Sequence, residues 1–228
     1  DIDSAGQINA KAGFSIISYT GSGSTTTFSH GMSVQPEILF FKNRDAARGW
    51  LVLTKVLQTK YLSLEGTGAE QGGYYSGSNT FDDRMTSSII TVDGSTTEVN
   101  TSGEKYICYA FHSVEGFSKV GVFSGNNSAN GAFVWTGFRP SFVMTKATNQ
   151  GGTHYDWVIF DNKRNTFNVS DAYIDANLDA AEVTSGRNEI DILSNGFKCR
   201  SSYGDLNSNY TYLYLAFGDQ PQKFSNAR

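Results

Sequence analysis

The stretch Tyr106-Ile107-Cys108-Tyr109-Ala110-Phe111 decides the fold, because its pattern returns late in the chain as Tyr212-Leu213-Tyr214-Leu215-Ala216-Phe217. Runs of aromatic and β-branched residues such as these are typical of β-strands. Further upstream, Gly13-Phe14-Ser15 returns as Gly116-Phe117-Ser118. A repeat of about a hundred residues has the size of one domain and is far longer than a solenoid unit. The sequence therefore predicts two tandem copies of one β module.

The composition favours many short strands joined by tight turns. Aromatic residues make up 14% of the chain and charged residues 18%, with 24 glycines and 3 prolines. Charged residues usually reach about 25%, and small polar turn formers take their place here. We expect an all-β protein of two tandem pseudo-repeated β-sandwich modules, residues 1–115 and 116–228. Almost no linker separates the copies near residues 114–116, so we expect the modules to pack together.

Twelve segments carry the strand signature, and several are apolar at nearly every position, as expected for strands covered on both faces. In the first copy they are residues 14–19, 37–42, 50–54, 61–64, 88–92 and 105–112. In the second copy they are residues 118–123, 133–136, 141–146, 157–161, 196–200 and 211–217. Residues 170–178 begin with a capping residue and have a modest apolar spacing, which leaves both a helix and a loop open.

Charge and apolar runs exclude two classes of partner. The net charge is −4 and no segment carries a run of lysine or arginine, so the basic stripe of a nucleic-acid binder is missing. No apolar stretch reaches the roughly 18 residues of a membrane span. Tyr214 is the counterpart of Cys108 in the second copy, which excludes a disulfide common to both modules. We expect Cys108 and Cys199 to be buried free thiols, with an interdomain bridge as the alternative.

The motifs of common catalytic and cofactor sites are missing. Neither the G-x-G-x-x-G nor the Walker A pattern occurs, and residues 116–120 fail the serine hydrolase pattern at its last glycine. His30, His112 and His154 lie in separate segments without the spacing of a metal site. We therefore expect no enzyme activity, no cofactor and no metal.

Aspartate pairs keep one enzymatic alternative open. Residues 82–83, which we place in a loop, and Asp171, Asp175 and Asp179 at four-residue spacing would supply the two acids of a glycan depolymerase. A solvated acidic surface is the simpler interpretation of both groups. Loops rich in Asp, Asn and Gly also offer oxygen ligands to calcium, although no EF-hand-like spacing is present.

Aromatic residues present in only one copy are candidates for binding. Trp50 and Trp157 open equivalent strands, so we expect a core role for both. Trp135 has no tryptophan counterpart, and residues 74–75 lie in a glycine- and serine-rich loop special to the first copy. Exposed aromatics on such a loop require a partner, which is either a receptor or a neighbouring subunit. We predict the following ligand-binding residues: Tyr74, Tyr75, Asp82, Asp83 and Trp135.

A family resemblance rests on four segments: Gly116-Phe117-Ser118-Lys119, Thr136-Gly137-Phe138-Arg139-Pro140, Leu193-Ser194-Asn195-Gly196-Phe197-Lys198 and Lys223-Phe224-Ser225-Asn226-Ala227-Arg228. They resemble a C-terminal domain of unknown function found in tail-fibre and structural proteins of tailed bacteriophages, especially marine ones. The resemblance covers the chain from about Gly13 to its end and brings no catalytic residues with it.

The resemblance implies a virion protein at the tip of a tail fibre, assembled as a homotrimer with other virion tail proteins as partners. Its expected work is attachment to a bacterial surface glycan or protein receptor without catalysis. A purely structural role in the head or tail is the alternative. We also expect a natural C terminus, since Phe224-Ser225 would begin a third repeat that does not follow.

Overall fold

The chain divides into two compact units. The structure, a computed structural model, describes residues 2–75, 77–94, 96–184 and 186–219. The first unit comprises Asp1–Leu64 and Glu70–His112, and the second comprises Glu65–Ala69 and Ser113–Arg228. The terminal segment that contributes to the family resemblance, residues 223–228, lies outside the described residues.

The described part of the first unit is built from short antiparallel strands. They are β1 (Ser4–Asn9), β2 (Phe14–Thr20), β3 (Thr26–Ser29), β4 (Ile38–Asn43), β5 (Trp50–Thr54), β6 (Tyr61–Ser63), β7 (Ile89–Val92) and β8 (Lys105–Phe111). A larger sheet has the order β1-β2-β8-β4-β5-β6, and a smaller sheet pairs β3 with β7. A 3₁₀ turn at Ala10–Ala12 and a one-turn helix, α1 (Phe81–Arg84), complete the unit.

The described part of the second unit has the same kind of construction. Its strands are β9 (Ser118–Ser124), β10 (Phe133–Trp135), β11 (Phe142–Ala147), β12 (Val158–Asp161), β13 (Ile174–Asp175), β14 (Ile190–Leu193), β15 (Gly196–Cys199) and β16 (Thr211–Phe217). The larger sheet has the order β13-β12-β11-β16-β9, and the smaller sheet has the order β10-β15-β14.

In each unit the two sheets share one hydrophobic core. Phe41 of the larger sheet and Phe28 of the smaller sheet belong to one buried cluster in the first unit. Val143 and Phe197 do the same in the second unit. Burial of these side chains removes apolar surface from water, which is the main favourable term in folding. Each unit is therefore a sandwich of two antiparallel sheets, and the predicted all-β fold class is confirmed.

Five strands follow the same order in both units. The path β2-β8-β4-β5-β6 of the first unit corresponds to β9-β16-β11-β12-β13 of the second. The repeated stretches that open the sequence form β8 and β16, each of which lies between two partners in its sheet. A tandem repeat of one module predicts such a shared order, and the repeat itself stays a prediction.

Every predicted strand segment is present within one or two residues of its predicted ends. The pattern missed β1 because Ser4–Asn9 is exposed along its whole length and has no apolar face. It missed β3 because only Phe28 is buried there. A helix at residues 170–178 is excluded, since this segment contains β13 followed by a turn. Cys108 and Cys199 are buried free thiols, as expected.

Candidate functional site

The smaller sheet of the second unit presents a mixed aromatic and charged outer face. Its strands alternate strictly, because successive side chains of a strand point to opposite faces. Val134 and Phe197 are paired across the sheet and buried in the core. The outer face consists of two rows of residues, each crossing the strands in the order β10, β15, β14. The first row is Phe133, Lys198 and Asp191, and the second row is Trp135, Gly196 and Leu193.

Trp135 and Phe133 are the large exposed side chains of this face. Trp135 is 58% exposed and Phe133 is 48% exposed, although both flank the buried Val134 on the same short strand. Two residues of strand rise separate them, about 7 Å. A sheet that buried these rings would gain stability from their apolar area. Their exposure on a regular strand makes this face a candidate interaction surface.

Two glycines leave room for the rings. A Cβ at Gly196 would lie 2.1 Å from the Val134 carbonyl oxygen and 3.2 Å from the Phe133 ring, so no larger residue fits there. Gly137 has a φ of +88°, and a Cβ there would lie 3.1 Å from the Trp135 ring. The backbone at both positions therefore lies directly beside the aromatic side chains.

A lysine accompanies each ring. The Lys119 ammonium lies 4.0 Å from the centre of the Trp135 ring and donates a hydrogen bond to the Trp135 carbonyl oxygen at 3.2 Å. A cation over an aromatic face is attracted by the negative charge of the ring's π face. Lys198 lies directly opposite Phe133 in the strand register. The Trp135 ring thus lies next to a positive charge, and Phe133 has a lysine as its cross-strand neighbour.

The acidic groups of this face lie on the strand farther from the rings. Asp191 is on β14 and forms an ion pair with Arg200 at 3.4 Å. Glu189 precedes β14, and its carbonyl oxygen accepts the Arg200 backbone N–H at 2.8 Å. Negative charge is therefore placed away from the aromatic pair and partly neutralised by Arg200.

This arrangement fits the recognition of a sugar ring. An exposed aromatic face packs against the apolar side of a saccharide, while charged and polar side chains next to it reach the hydroxyl or acid groups. Trp135, predicted because the first copy has no tryptophan at this position, is exposed at the end of the edge strand β10. Phe133 was missed, although the Phe133-Val134-Trp135 alternation places both rings on one face of any strand. Lys198 is brought beside Phe133 by the pairing of β15 with β10, whereas Lys119 reaches Trp135 from β9 of the larger sheet, and neither neighbour can be read from the local sequence.

Tyr74 and Tyr75 are not exposed, so this part of the sequence prediction is wrong. Their side chains are 6% and 5% exposed and belong to the core of the first unit. The two rings contact each other edge to face at 4.7 Å, and Tyr74 also meets Tyr61 at 6.3 Å. Burial raises the pKa of both phenols well above the usual range. The glycine-rich loop folds inward because these two rings pack in the core. The local sequence does not predict that burial.

Asp83 has a structural role that the sequence analysis missed. It lies in α1 rather than in a loop, and its carboxylate accepts the Thr80 backbone N–H and hydroxyl at 2.8 Å each. This is a capping box, in which the first and fourth residues satisfy each other's backbone N–H groups. The hydrogen bond from the Thr80 hydroxyl lowers the pKa of Asp83. The Thr80-x-x-Asp83 spacing in the sequence could have predicted this capping box and the helix that it begins.

Asp82 remains exposed and is held by neighbouring side chains. Its carboxylate accepts hydrogen bonds from Gln35 at 2.9 Å and Gln58 at 3.0 Å, and the Lys55 ammonium lies 3.5 Å away. Asp82 lies in the first unit and Trp135 in the second. The part of the first unit around Asp82 has no exposed aromatic among its described large side chains, because Tyr74 and Tyr75 are buried.

A second polar cluster is buried in the second unit. Asp205 accepts the Asp156 backbone N–H at 2.9 Å and the Asn188 amide at 3.1 Å. Asp156 in turn accepts a hydrogen bond from Asn177 at 2.7 Å. These bonds satisfy carboxylates that would otherwise be costly to bury.

Two further groups of this cluster have displaced pKa values. Burial raises the pKa of Asp175 to about 6, and the charges of Asp156 and Asp205 add to the effect. Burial lowers the pKa of Lys146 to about 8, while the same two aspartates oppose this change. The Lys146 ammonium donates to the Ala147 carbonyl oxygen at 2.9 Å. No three His, Cys, Asp or Glu residues among those described are placed to hold a metal ion.

A shallow pocket of about 320 Å³ lies in the first unit, beside the start of β1 and the end of β2. Arg44 and Lys105 line it on one side and Asp3 on the other. Tyr19 also borders it but is buried, so the pocket offers no exposed aromatic ring. It provides charge without the aromatic surface present in the second unit.

These observations define a class: an all-β protein of two sandwich units, the second of which exposes two aromatic side chains on its smaller sheet. The family follows from comparison with known proteins. Residues 1–221 match the family described as a domain of unknown function (DUF7483), and the chain belongs to this family. Neither a curated protein nor a solved structure matches it. Across the described residues, no helix has the length and apolar character that crossing a membrane requires.

Proposed function

We propose that this protein is a non-enzymatic adhesion module that binds a bacterial surface glycan through the outer face of β10 and β15. The observation that carries the proposal is the exposure of Trp135 and Phe133 on one face of a regular strand. The neighbouring lysines supply polar contacts of the kind that fix a saccharide in place.

The proposed setting is a bacteriophage virion, in the C-terminal part of a tail fibre. This setting derives from the sequence resemblance to tail-fibre and structural proteins of tailed phages. In such a fibre the chain would form a homotrimer and contact other virion tail proteins. Three copies of a weak site would gain avidity by a factor of about 10²–10⁴ without any new contact.

A non-enzymatic role is supported by the state of the predicted acids in the first unit. A glycosidase needs a general acid with a raised pKa. The pKa of Asp83 is lowered, and its carboxylate is occupied by the capping box. Asp82 is occupied by two glutamines.

A glycan depolymerase is the second candidate, because Asp175 has the raised pKa that a general acid requires. Its pKa is about 6, and Asp156 and Asp205 lie close enough to contribute to that value. Release of reducing ends from polysaccharide by the wild-type protein, abolished by Asp175→Asn, would replace the adhesion proposal with this one. Adhesion predicts binding without any such release.

The decisive experiment measures binding of the purified chain to host cell surfaces and to an array of bacterial glycans. We expect Trp135→Ala to weaken glycan binding by about tenfold or more, the effect of losing one aromatic contact of about 1.5 kcal/mol. Phe167→Ala is the matched control, because Phe167 is an aromatic residue of the same unit that is 85% exposed.

A purely structural virion role predicts a different result. The wild-type chain would then bind no glycan, and Trp135→Ala would instead change subunit assembly, measured by light scattering. Equal losses of glycan affinity in Trp135→Ala and Phe167→Ala would also contradict the proposed site, because they would indicate non-specific binding through exposed aromatic residues.

A further inference from the structure

We infer that the shallow pocket of the first unit binds a small ligand through one acidic group, a carboxylate or a phosphate, held between Arg44 and Lys105. Both residues line this cavity of about 320 Å³. Its volume is at the lower end of the range for small-molecule sites, so a ligand of monosaccharide size fits it. The pocket belongs to the first unit and Trp135 to the second, and the inference does not depend on the proposed glycan adhesion.

The strand register places two positive side chains directly opposite each other. Asn43 of β4 is opposite Tyr106 of β8, and the next backbone N–H, that of Arg44, donates to the Lys105 carbonyl oxygen at 2.8 Å. On its other side, Lys105 is opposite Thr20 of β2. Residues opposite each other in a sheet share a face, with Cβ atoms about 5 Å apart. Thr20, Lys105 and Arg44 therefore form one row across three strands.

This row presents its side chains to solvent. Tyr106, the neighbour of Lys105 in β8, is fully buried, and Tyr19, the neighbour of Thr20 in β2, is only 4% exposed. Because successive side chains of a strand point to opposite faces, Lys105 and Thr20 point away from the core. Arg44 shares their face through its pairing with Lys105, and both charged residues are exposed.

The two positive charges are not neutralised by a neighbouring side chain. Among the residues that the structure describes, neither the Arg44 nor the Lys105 side chain takes part in an ion pair or a hydrogen bond. The adjacent acids accept other donors: Asp45 accepts the Lys105 backbone N–H at 2.8 Å, and Glu104 accepts the Tyr106 hydroxyl at 3.1 Å. Like charges directly opposite each other in a sheet are destabilising, and an anion bound between them would offset that repulsion.

The residues that line the pocket determine the form of the ligand. Arg44 offers a planar fork of N–H donors that matches a carboxylate or a phosphate, and Lys105 adds a second positive charge. Ser4 and Thr20, which carry hydroxyl groups, line the same cavity, and Asp3 lines its other side. The Asp3 carboxylate would repel a second negative group and accept a hydrogen bond from a hydroxyl. The ligand therefore carries its acidic group at one end and hydroxyl groups at the other, as galacturonate and glucose 6-phosphate do.

The experiment titrates the full chain with these two ligands and with their neutral counterparts, the methyl ester of galacturonate and glucose. Calorimetry or NMR measures the affinity. We expect an acidic member to bind with a Kd of about 1 mM and about tenfold or more tightly than its neutral counterpart. Binding of galacturonate alone would identify a carboxylate as the ligand group, and binding of glucose 6-phosphate alone would identify a phosphate.

Variants that remove one charge assign the binding to this pocket. Arg44→Gln and Lys105→Gln should each weaken binding of the acidic ligand about tenfold, the effect of losing one charged hydrogen bond. Arg48→Gln is the matched control, because Arg48 is an exposed arginine close in the sequence that does not line the pocket. We expect it to leave the affinity unchanged.

The outcomes separate this inference from the proposed function. Absence of saturable binding by either acidic ligand, or equal affinity for acidic and neutral members, would overturn it. Equal losses in Arg44→Gln and Arg48→Gln would indicate non-specific charge attraction and would also overturn it. Trp135→Ala should leave the binding unchanged, and a loss in that variant would assign the ligand to the aromatic face instead. Failure of the pocket to bind would leave the glycan adhesion proposal in place.

Discussion

The smaller sheets of the two units differ at the positions that face solvent. In the first unit, β3 buries Phe28 opposite Ile90 and turns Thr27 and Ser29 outward. In the second unit, β10 buries Val134 opposite Phe197 and turns Phe133 and Trp135 outward. Both strands thus have one buried residue between two outward ones. The inward residues are apolar in both sheets, whereas the outward residues are small and polar in one and large and aromatic in the other.

This difference separates what the fold needs from what one unit adds. Two small hydroxyl residues are sufficient for the outward positions of β3, so a sandwich of this kind has no need of aromatic rings there. The fold therefore does not account for the exposed rings of Phe133 and Trp135, whereas the proposed glycan binding would. The difference also predicts that changes at inward positions alter stability in both units, whereas changes at outward positions of β10 alter binding alone.

The largest expected effect is the loss of an inward aromatic residue. Phe28→Ala and Phe197→Ala should each reduce the free energy of unfolding by about 3–5 kcal/mol, because both side chains are fully buried and leave a cavity. Chemical denaturation followed by circular dichroism measures this loss. Phe→Leu at the same positions is the milder control. A cost below about 1 kcal/mol for either alanine variant would contradict the shared role of these positions.

The second effect concerns the outward residues. A Phe133→Thr, Trp135→Ser double variant copies the outward residues of β3 onto β10. We expect glycan binding to be abolished while the free energy of unfolding changes by less than about 0.5 kcal/mol, as is usual for exposed positions. Glycan binding and denaturation are measured on the same preparation. A large loss of stability would mean that the rings are part of the fold, and the comparison of the two sheets would fail.

Sequence patterns predicted the strands well because strand formation here follows local apolar runs. The stretches that form β8 and β16 contain a buried residue at nearly every second position or more. The candidate site was predicted only in part, since Trp135 has a local signal and Lys198 is brought to it by pairing of β15 with β10. The predicted exposure of Tyr74 and Tyr75 was wrong for the opposite reason. Their flanking glycines indicate an exposed loop, while tertiary packing buries the two rings.

The third effect uses the buried acid of the second unit. The pKa of Asp175 is raised from 3.8 to about 6, so the folded protein binds more protons than the unfolded chain between these values. Stability therefore falls as the pH rises through this window, and the ionised carboxylate is destabilising above it. We expect Asp175→Asn to stabilise the protein at pH 7.5 by about 1 kcal/mol, and not at pH 3.5. For a carboxylate fully shielded from solvent, this pKa shift would correspond to roughly 3 kcal/mol of destabilisation. Asp175 is only partly buried, so the expected effect is smaller.

Thermal unfolding at the two pH values tests this prediction. Asp179→Asn is the control, because Asp179 is exposed four residues away. A stabilisation by Asp175→Asn that is the same at both pH values would indicate a packing effect and would contradict the electrostatic explanation.

The smallest effect concerns His30 in the first unit, which should respond to acid in the opposite direction. The His30 ring is fully buried, its Nδ1 accepts the Met32 backbone N–H at 3.3 Å, and its Nε2 lies 3.1 Å from the Thr86 carbonyl oxygen. These contacts fix the neutral tautomer with its proton on Nε2. Burial lowers the pKa of His30 from 6.5, and the neighbouring His112 adds to this. The unfolded chain thus binds more protons below pH 6.5, so the first unit loses stability as the pH falls through that value, by at most about 1.4 kcal/mol per pH unit.

Hydrogen exchange resolved to single peptides can measure the two units separately between pH 7 and pH 5. We expect protection in β3 and β7 to weaken with acid, after correction for the intrinsic exchange rate. The His30→Gln variant should remove this dependence, since an amide can accept from Met32 and donate to Thr86 without titrating. The His154→Gln variant is the control, because His154 is an exposed histidine of the second unit. If the pH dependence of protection persists in His30→Gln, another group causes the acid sensitivity of the first unit. The opposite pH dependences of stability in the two units could then no longer be attributed to His30 and Asp175.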